Sequence, residues 1–289
     1  MGASRGASSR SSPRAAAAPR PLAGRTVVVT RAAAQAQRFT ELLQASGARV
    51  IEAPVIVIGP PPSWEPLDTA LSALESFTWV VFTSTNGVLM VDRRLAALGL
   101  AWTALSARRV AAIGPATADA LREHGVRVDV VPAEYRAEGL VSRLAPLLVA
   151  GDRVLLPRAA QTRDVLVTSL RELGVHVSEV AAYATRKAEG GAPRLGEALA
   201  AGSIDVVTFT SSSTARNFAE AFTDEERRAW HGQLAVASIG PITAATAAEY
   251  GLETDIMPAE YTIPALARAI ADYFARIPKR PGSRGRRSE

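Results

Sequence analysis

The chain contains no cysteine. That excludes disulfides, thiolate metal ligands and a catalytic thiol, and fits a reducing cytoplasm. Its three histidines, His124, His176 and His231, are far apart and lack metal-ligand spacing such as HExxH. Each is expected to be an ordinary surface or rim residue, and no metal is expected. No GxGxxG follows a strand pattern and no GxxxxGK(S/T) occurs, so nucleotide fingerprints are missing. No GxSxG elbow of serine hydrolases sits at a strand-to-helix turn; the string GASRG at 2–6 lies in the arginine-bearing start. Long apolar runs are also lacking: the longest aliphatic stretches, such as 50–58, are far too short to span a bilayer. The arginine-bearing start holds only four consecutive alanines, 15–18, where a signal peptide needs a longer apolar run. A cytoplasmic protein with no membrane partner is expected.

Acidic residues are scarce at both ends. Residues 1–25 carry five arginines and no acid, and 276–289 carry six basic groups and one acid. Setting these aside leaves 22 basic and 27 acidic residues, so the net charge of +5 belongs to the ends and the body is near −5. Both ends are rich in Gly, Ser, Pro and Arg and cannot bury enough apolar surface to fold, so 1–23 and 277–289 are expected to be disordered basic tails. No specific nucleic-acid partner is expected. Weak nucleic-acid contact through the arginines stays as the alternative.

What is present is a duplication. VAAIGPATADALREHGVRVDVVPAEYRAEGLVSRL, from Val110, aligns with VASIGPITAATAAEYGLETDIMPAEYTIPALARAI, from Val236, with 15 of 35 positions identical, PAEY included. Within one residue the same offset pairs FTS at 82–84 with FTS at 209–211, and GRTVVVTRAA with GDRVLLPRAA. It sets Arg31 opposite Arg158. Two homologous halves therefore fill residues 24–276.

Each half alternates short β-rich runs with helical periodicity, the mark of parallel α/β units. Strands are predicted at 26–30, 79–83, 110–113 and 128–131, and again at 154–156, 206–210, 236–239 and 254–257. Helices are predicted at 35–46, 86–98, 115–124 and 138–148, then at 163–173, 213–222, 241–250 and 264–274. The β-rich segments 51–58 and 177–185 break this rhythm and look like connectors between lobes. The fold class is then α/β: two flavodoxin-like, doubly wound parallel-sheet domains joined by a two-stranded hinge, with the first strand and helix swapped between halves. One domain would be 24–50 plus 186–276, and the other 59–176. Two sequential domains, each built from one half, remain the alternative.

Two repeated motifs can bind a ligand. In Ile-Gly-Pro-x-Thr, at 113–117 and 239–243, Gly114 and Gly240 allow close backbone approach. Pro115 and Pro241 suit a first helical position, and the N–H groups that follow, with Thr117 and Thr243, form a neutral anion notch. In a parallel sheet this notch lies at the carboxyl edge of the strands. The FTS elements supply Ser84 and Thr85, and Ser211 and Ser212, as helix caps with hydroxyls. Singly these are ordinary caps; mirrored on two lobes they suit a large polyanionic small molecule.

The order of elements VVVTR, APVIVI, VVFTSTNGV, VAAIGPATADAL, RVLLPRAAQTRDVLVTSLRELG, VAAYATR, VVTFTSSSTARNF and VASIGPITAATAAEYG resembles the uroporphyrinogen-III synthases across residues 24–276. The resemblance implies the swapped two-lobed fold. It also implies cyclisation of hydroxymethylbilane, a linear tetrapyrrole bearing an acetate and a propionate on each ring, with inversion of the last ring and loss of water. A monomeric lyase without cofactor is implied. By the same match Tyr183, in VAAYAT, falls where a cleft-facing tyrosine is expected and would give a proton to the departing hydroxyl; the alternative is a hinge tyrosine that only packs. Ser84, Ser211, Thr117 and Thr243 match substrate-facing hydroxyl positions. Arg163 matches a carboxylate partner, or else a helix-surface arginine. Asn86 stands where some relatives carry a basic residue. The rivals are a two-lobed binding protein without catalysis and a regulatory relative.

Overall fold

The computed structural model describes residues 20–161, 165–188, 190, 195–230 and 232–277. The first half runs β1 (Thr26–Val29), α1 (Ala33–Ala45), β2 (Arg49–Glu52), β3 (Ile56–Gly59), α2 (Glu65–Ser72), β4 (Trp79–Phe82), α3 (Thr85–Ala97), β5 (Arg109–Ala112), α4 (Pro115–Glu123) and α5 (Ala137–Leu144). The second runs β6 (Arg153–Ala159), α6 (Val165–Glu172), β7 (His176–Lys187), α7 (Gly196–Ala200), β8 (Val206–Phe209), α8 (Ser212–Ala219), α9 (Asp224–Ala229), β9 (Ala235–Ser238), α10 (Pro241–Ala248) and α11 (Ile263–Arg276). The result is a mixed α/β fold with parallel sheets.

One sheet has the order β2-β1-β8-β9, all parallel; the other is β3-β7-β6-β4-β5, parallel except for β3. Each sheet therefore joins the first strands of one half to later strands of the other: β1 pairs β8, and β6 pairs β4. Two sequential sheets, one per half, are not what these strands form. The β1–β8 seam is bonded beyond its ladder, since Thr30 Oγ1 donates to the Thr208 carbonyl at 2.6 Å and Thr208 Oγ1 to the Val28 carbonyl at 2.9 Å. Asp205 accepts from Arg25 at 2.8 Å and from the Thr26 N–H at 2.7 Å, while the Arg25 guanidinium lies 4.6 Å from the Phe274 ring centre. These contacts fix the N-terminal strand to the C-terminal half.

Strand period places alternate residues on opposite sheet faces, and both faces are buried. In the second sheet Val80, Phe82, Val110, Ala112 and Leu155 pack with Leu67, Leu71, Val88, Val91, Leu95 and Leu121. Trp79, Val81, Ala111, Val154 and Leu156 pack on the other side with Leu140, Leu144, Leu166 and Leu170. In the first sheet Val28, Val207, Phe209 and Val236 meet Phe218, whereas Val27, Val29 and Val206 meet Phe39, Leu43, Leu266 and Ile270. Ala36, Phe39 and Leu43 of α1 are buried at helical spacing.

Four expectations change. The strands at 128–131 and 254–257 shrink to single parallel bridges, Ala111–Val130 and Ala237–Ile256. Asp129 and Asp255 carboxylates accept the Val110 and Val236 N–H groups, each at 2.8 Å, taking ladder positions that a backbone carbonyl would otherwise fill. The expected connectors 51–58 and 177–185 are partly absorbed into the sheets. β2 edges the first sheet, while β7 pairs β6 in parallel and then β3 antiparallel, Ile56 opposite Lys187 and Gly59 opposite Ala184. Ile58 packs against the cores of both sheets. The helices α2, α7 and α9 have no counterpart among the predicted ones. Finally, the N-terminal tail was set too long: Leu22 is fully buried and its N–H donates to the Ser46 carbonyl at 2.9 Å, so the packed body includes the turn before residue 24. Residues 1–19 and 278–289 lie outside the described residues.

Candidate functional site

The first turn of α3 leaves the carboxyl end of β4 with Ser84 as its cap, the hydroxyl accepting the Gly87 N–H at 3.1 Å. Thr85 follows, half-buried, as the first residue of α3. The Ser84 hydroxyl is also 2.9 Å from the Tyr183 hydroxyl. A break in strand register creates this contact. In the β6–β7 ladder Arg158 lies opposite Ala181 but Ala159 lies opposite Tyr183, so Ala182 is an extra residue on β7. Regular alternation would send Ala182 and Tyr183 to opposite faces, yet both pack in the same core, and the bulge turns the phenol toward Ser84.

Tyr183 is 8% exposed, and burial pushes its phenol above the ordinary tyrosine value. Hydrogen bonds to Ser84 and Asn86 and the Arg158 charge pull the other way and do not overcome burial. The group is therefore a neutral proton donor at physiological pH. Asn86 extends the cluster to the other sheet, because its Oδ1 accepts a short hydrogen bond from Gln35 Nε2 of α1. Arg31, just after β1, donates from Nε to Gln35 Oε1 at 3.4 Å. On the Tyr183 side, Arg158 is buried with its Nε 3.3 Å from Glu179 Oε1.

Both Ile-Gly-Pro-x-Thr segments form the strand-to-helix turns that the sequence predicts. Gly114 and Gly240 are extended cap residues with no side chain to cap their helices, and a proline opens each helix. The early N–H groups of α4 and α10 thus lack the usual side-chain acceptor. Thr117 and Thr243 sit in these first turns and are buried. Tyr135 and Tyr261, the tyrosines of the two PAEY segments, cover the glycines: a Cβ on Gly240 would lie 3.2 Å from Tyr261 Cγ, and one on Gly114 would lie 3.4 Å from Tyr135 Cγ.

The mirrored serines have diverged. Ser211 caps α8 in a reciprocal box with Thr214, and its hydroxyl is 3.0 Å from that of Ser213. Ser212 accepts from Thr246 Oγ1 at 2.9 Å and lies 3.4 Å from the Ile242 carbonyl, bracing α8 on α10. At the repeat position of Tyr183 the first half carries Ile56, so only the second half has the phenol. Arg163 lies outside the described residues, as does His231. His124 stacks on Trp102 at 4.8 Å, with Nδ1 3.5 Å from Asp92, a packing role consistent with the expectation for it. Sequence reasoning gave no role to Gln35, Tyr135 or Tyr261. The exact PAEY repeat was a signal for the two tyrosines; nothing in the sequence marked Gln35. Among the described residues no His, Asp and Glu cluster suits a metal ion, and no helix is long and apolar enough to cross a membrane.

A family model described as uroporphyrinogen-III synthase HemD matches residues 37–268. A uroporphyrinogen-III synthase of Synechococcus elongatus is 37% identical over 260 residues, covering 89% of this chain and 98% of that protein. A putative uroporphyrinogen-III synthase of Methanothermobacter thermautotrophicus is 32% identical over 255 residues, covering 85% and 97%. In fold, the chain is similar to a crystal structure of a mutant uroporphyrinogen III synthase from Thermus thermophilus, with a TM-score of 0.62 at 22% identity over 86% of this chain and 98% of that one. Sequence and fold agree across nearly the full described body, and the chain belongs to the uroporphyrinogen-III synthase family.

Proposed function

We propose that the protein cyclises hydroxymethylbilane to uroporphyrinogen III, inverting the last pyrrole ring and releasing water, as a monomeric, cytoplasmic hydro-lyase that needs no cofactor. Family membership supports the reaction, and one observation carries its assignment to residues: the buried Tyr183 phenol, hydrogen-bonded to Ser84 beside the Asn86–Gln35 bridge between the two sheets. Ser84 already accepts from Gly87 N–H, so its own proton is free for the Tyr183 oxygen. Asn86 uses its Oδ1 on Gln35, which leaves its amide N–H groups for the same oxygen. The phenolic proton then remains for the substrate. As the bilane C–O bond breaks, Tyr183 protonates the departing oxygen, water leaves, and the pyrrole nitrogens stabilise the cation that remains. Ring closure then returns a proton to the phenolate.

The substrate's carboxylates suit the notches at Gly114 and Thr117 and at Gly240 and Thr243, with Ser84, Thr85, Ser211 and Ser212 along the same strand edges. Arg163 completes the proposed substrate set. Since the body is net negative, recognition is local and not by long-range steering. We further assign two flavodoxin-like domains, 24–50 with 186–276 and 59–176, joined by a hinge of 51–58 and 177–185, with the turn 20–23 packed on the first. The crossed strand pairing and the antiparallel β3–β7 pair support this division.

Chromatography of the porphyrin isomers formed from fresh hydroxymethylbilane tests the activity. Uncatalysed closure gives the uninverted isomer, so the inverted isomer should predominate with the protein present. An isomer mixture identical to the enzyme-free control would refute the proposal.

A further inference from the structure

The duplication gives each half an arginine at the carboxyl end of its first strand and a glutamate in the next: Arg31 with Glu52, and Arg158 with Glu179. The two pairs are used differently. In the second half the pair is made, Arg158 Nε lying 3.3 Å from Glu179 Oε1. In the first half Glu52 instead accepts from Thr40 Oγ1 at 2.5 Å, on the outer side of α1. Arg31 is left with one long bond, Nε to Gln35 Oε1 at 3.4 Å. No carboxylate among the described residues pairs with it, and burial alone pushes its guanidinium below the ordinary value.

A partly desolvated guanidinium without a counter-charge is costly, and folds keep such groups where something else neutralises them. Gln35, which holds Arg31, also bonds Asn86, the residue beside the Ser84–Tyr183 pair on the other sheet. Arg31 therefore sits at the carboxyl edge of β1, where open parallel sheets bind ligands, and within one side chain of the bridge between the sheets. Its planar fork matches a carboxylate in two-point contact.

We propose that Arg31 is a specificity-determining residue that takes one carboxylate side chain of the linear tetrapyrrole. The inference rests on the proposed reaction. The ion pair made within the second half is thus reserved in the first half for the substrate, an asymmetry that helps fix which end of a nearly repetitive bilane lies beside Tyr183.

Steady-state kinetics on R31Q, with Q35A as the companion variant, tests this. R31Q should fold with a thermal midpoint near that of the parent, raise KM for hydroxymethylbilane about ten- to hundredfold, and change kcat less than about threefold. Q35A, which removes the bridge but keeps the charge, should raise KM far less. A parent protein that gives no inverted isomer overturns the reaction and this inference with it. An active parent with R31Q KM within about twofold overturns the inference alone. A Q35A variant that reproduces the R31Q rise in KM does the same, because Arg31 would then act only by holding Gln35. Should R31Q not fold, R31K carries the test: ammonium keeps the charge without the fork, so KM should rise several-fold, and an unchanged KM refutes the assignment.

Discussion

Adding a single methyl group at each of the two notch glycines should give unequal results, although the motifs are repeats. Gly240 and Gly114 have φ of −172° and −164°, extended backbone that alanine adopts without strain. Only side-chain space then distinguishes them. At Gly240 the new methyl would meet Tyr261 Cγ at 3.2 Å and Cδ1 at 3.3 Å, so the ring must give by a few tenths of an ångström. At Gly114 the nearest atoms, Tyr135 Cβ and Cγ, are at 3.4 Å, ordinary contact. Alanine for glycine at a compatible site stabilises by about 0.4–1 kcal/mol through the unfolded chain. Overpacking costs about 1–3 kcal/mol, and Tyr261 is 37% exposed and can swing outward, which puts its cost at the low end, near 1 kcal/mol. G114A should therefore be neutral or slightly stabilised, and G240A neutral to about 0.6 kcal/mol destabilised, with its larger effect on KM as Tyr261 shifts over the α10 notch. Urea denaturation of both variants, with bilane kinetics, measures this. A G114A variant less stable than G240A would refute the steric argument.

Leu22→Ala should cost about 2–5 kcal/mol, read from a denaturation midpoint, because the side chain is fully buried, whereas removal of residues 1–19 should leave both midpoint and activity unchanged. Thr117→Ala and Thr243→Ala should each weaken bilane binding by roughly 1.5–3 kcal/mol, the worth of a hydrogen bond to a charged group; a lowered melting temperature with normal kinetics would instead make these hydroxyls helix supports. For pH, the Tyr183 phenol is raised, so it stays protonated below its folded value and loses its proton only above the ordinary tyrosine range. The rate limb due to Tyr183 should lie there, with no loss from this group between pH 7 and 9. A rate falling through that interval in the parent but not in a Tyr183→Phe variant would contradict the direction of the shift.

Much of the fold was legible because the duplication can be checked against itself. FTS at 82–84 and 209–211, and the two IGPxT segments, mark strand-to-helix turns at corresponding places, and glycine and proline chemistry at Gly114–Pro115 and Gly240–Pro241 fixes where the helices start. The swap was legible only as one of two alternatives, because strand pairing between β1 and β8 depends on contacts 180 residues apart, such as Thr208 Oγ1 to Val28. Composition misplaced the tail boundary, since Leu22 lies within an arginine- and proline-rich stretch and only its burial against α1 and α11 tells it apart. At the site, Tyr183 and Ser84 could each be named, but not their contact, because it depends on a one-residue bulge at Ala182 that no local pattern signals. Gln35 was invisible for a similar reason: it is a polar residue on a helix until the opposite sheet brings Asn86 to it.

The central claim is that Tyr183 supplies the proton that lets the hydroxyl leave, and the single-turnover rate of Tyr183→Phe tests it most directly. Phenylalanine keeps the ring, removes the proton and frees Ser84. General-acid assistance is worth about 10²–10⁴ in rate, and solvent can supply part of the proton, so the rate should fall by a factor in that range or somewhat below it. The thermal midpoint should shift only by the loss of the phenol's hydrogen bonds to Ser84 and Asn86, and the inverted isomer should persist. A rate changed less than about threefold, with any effect confined to the midpoint, would contradict the account and leave Tyr183 as a packing residue of β7.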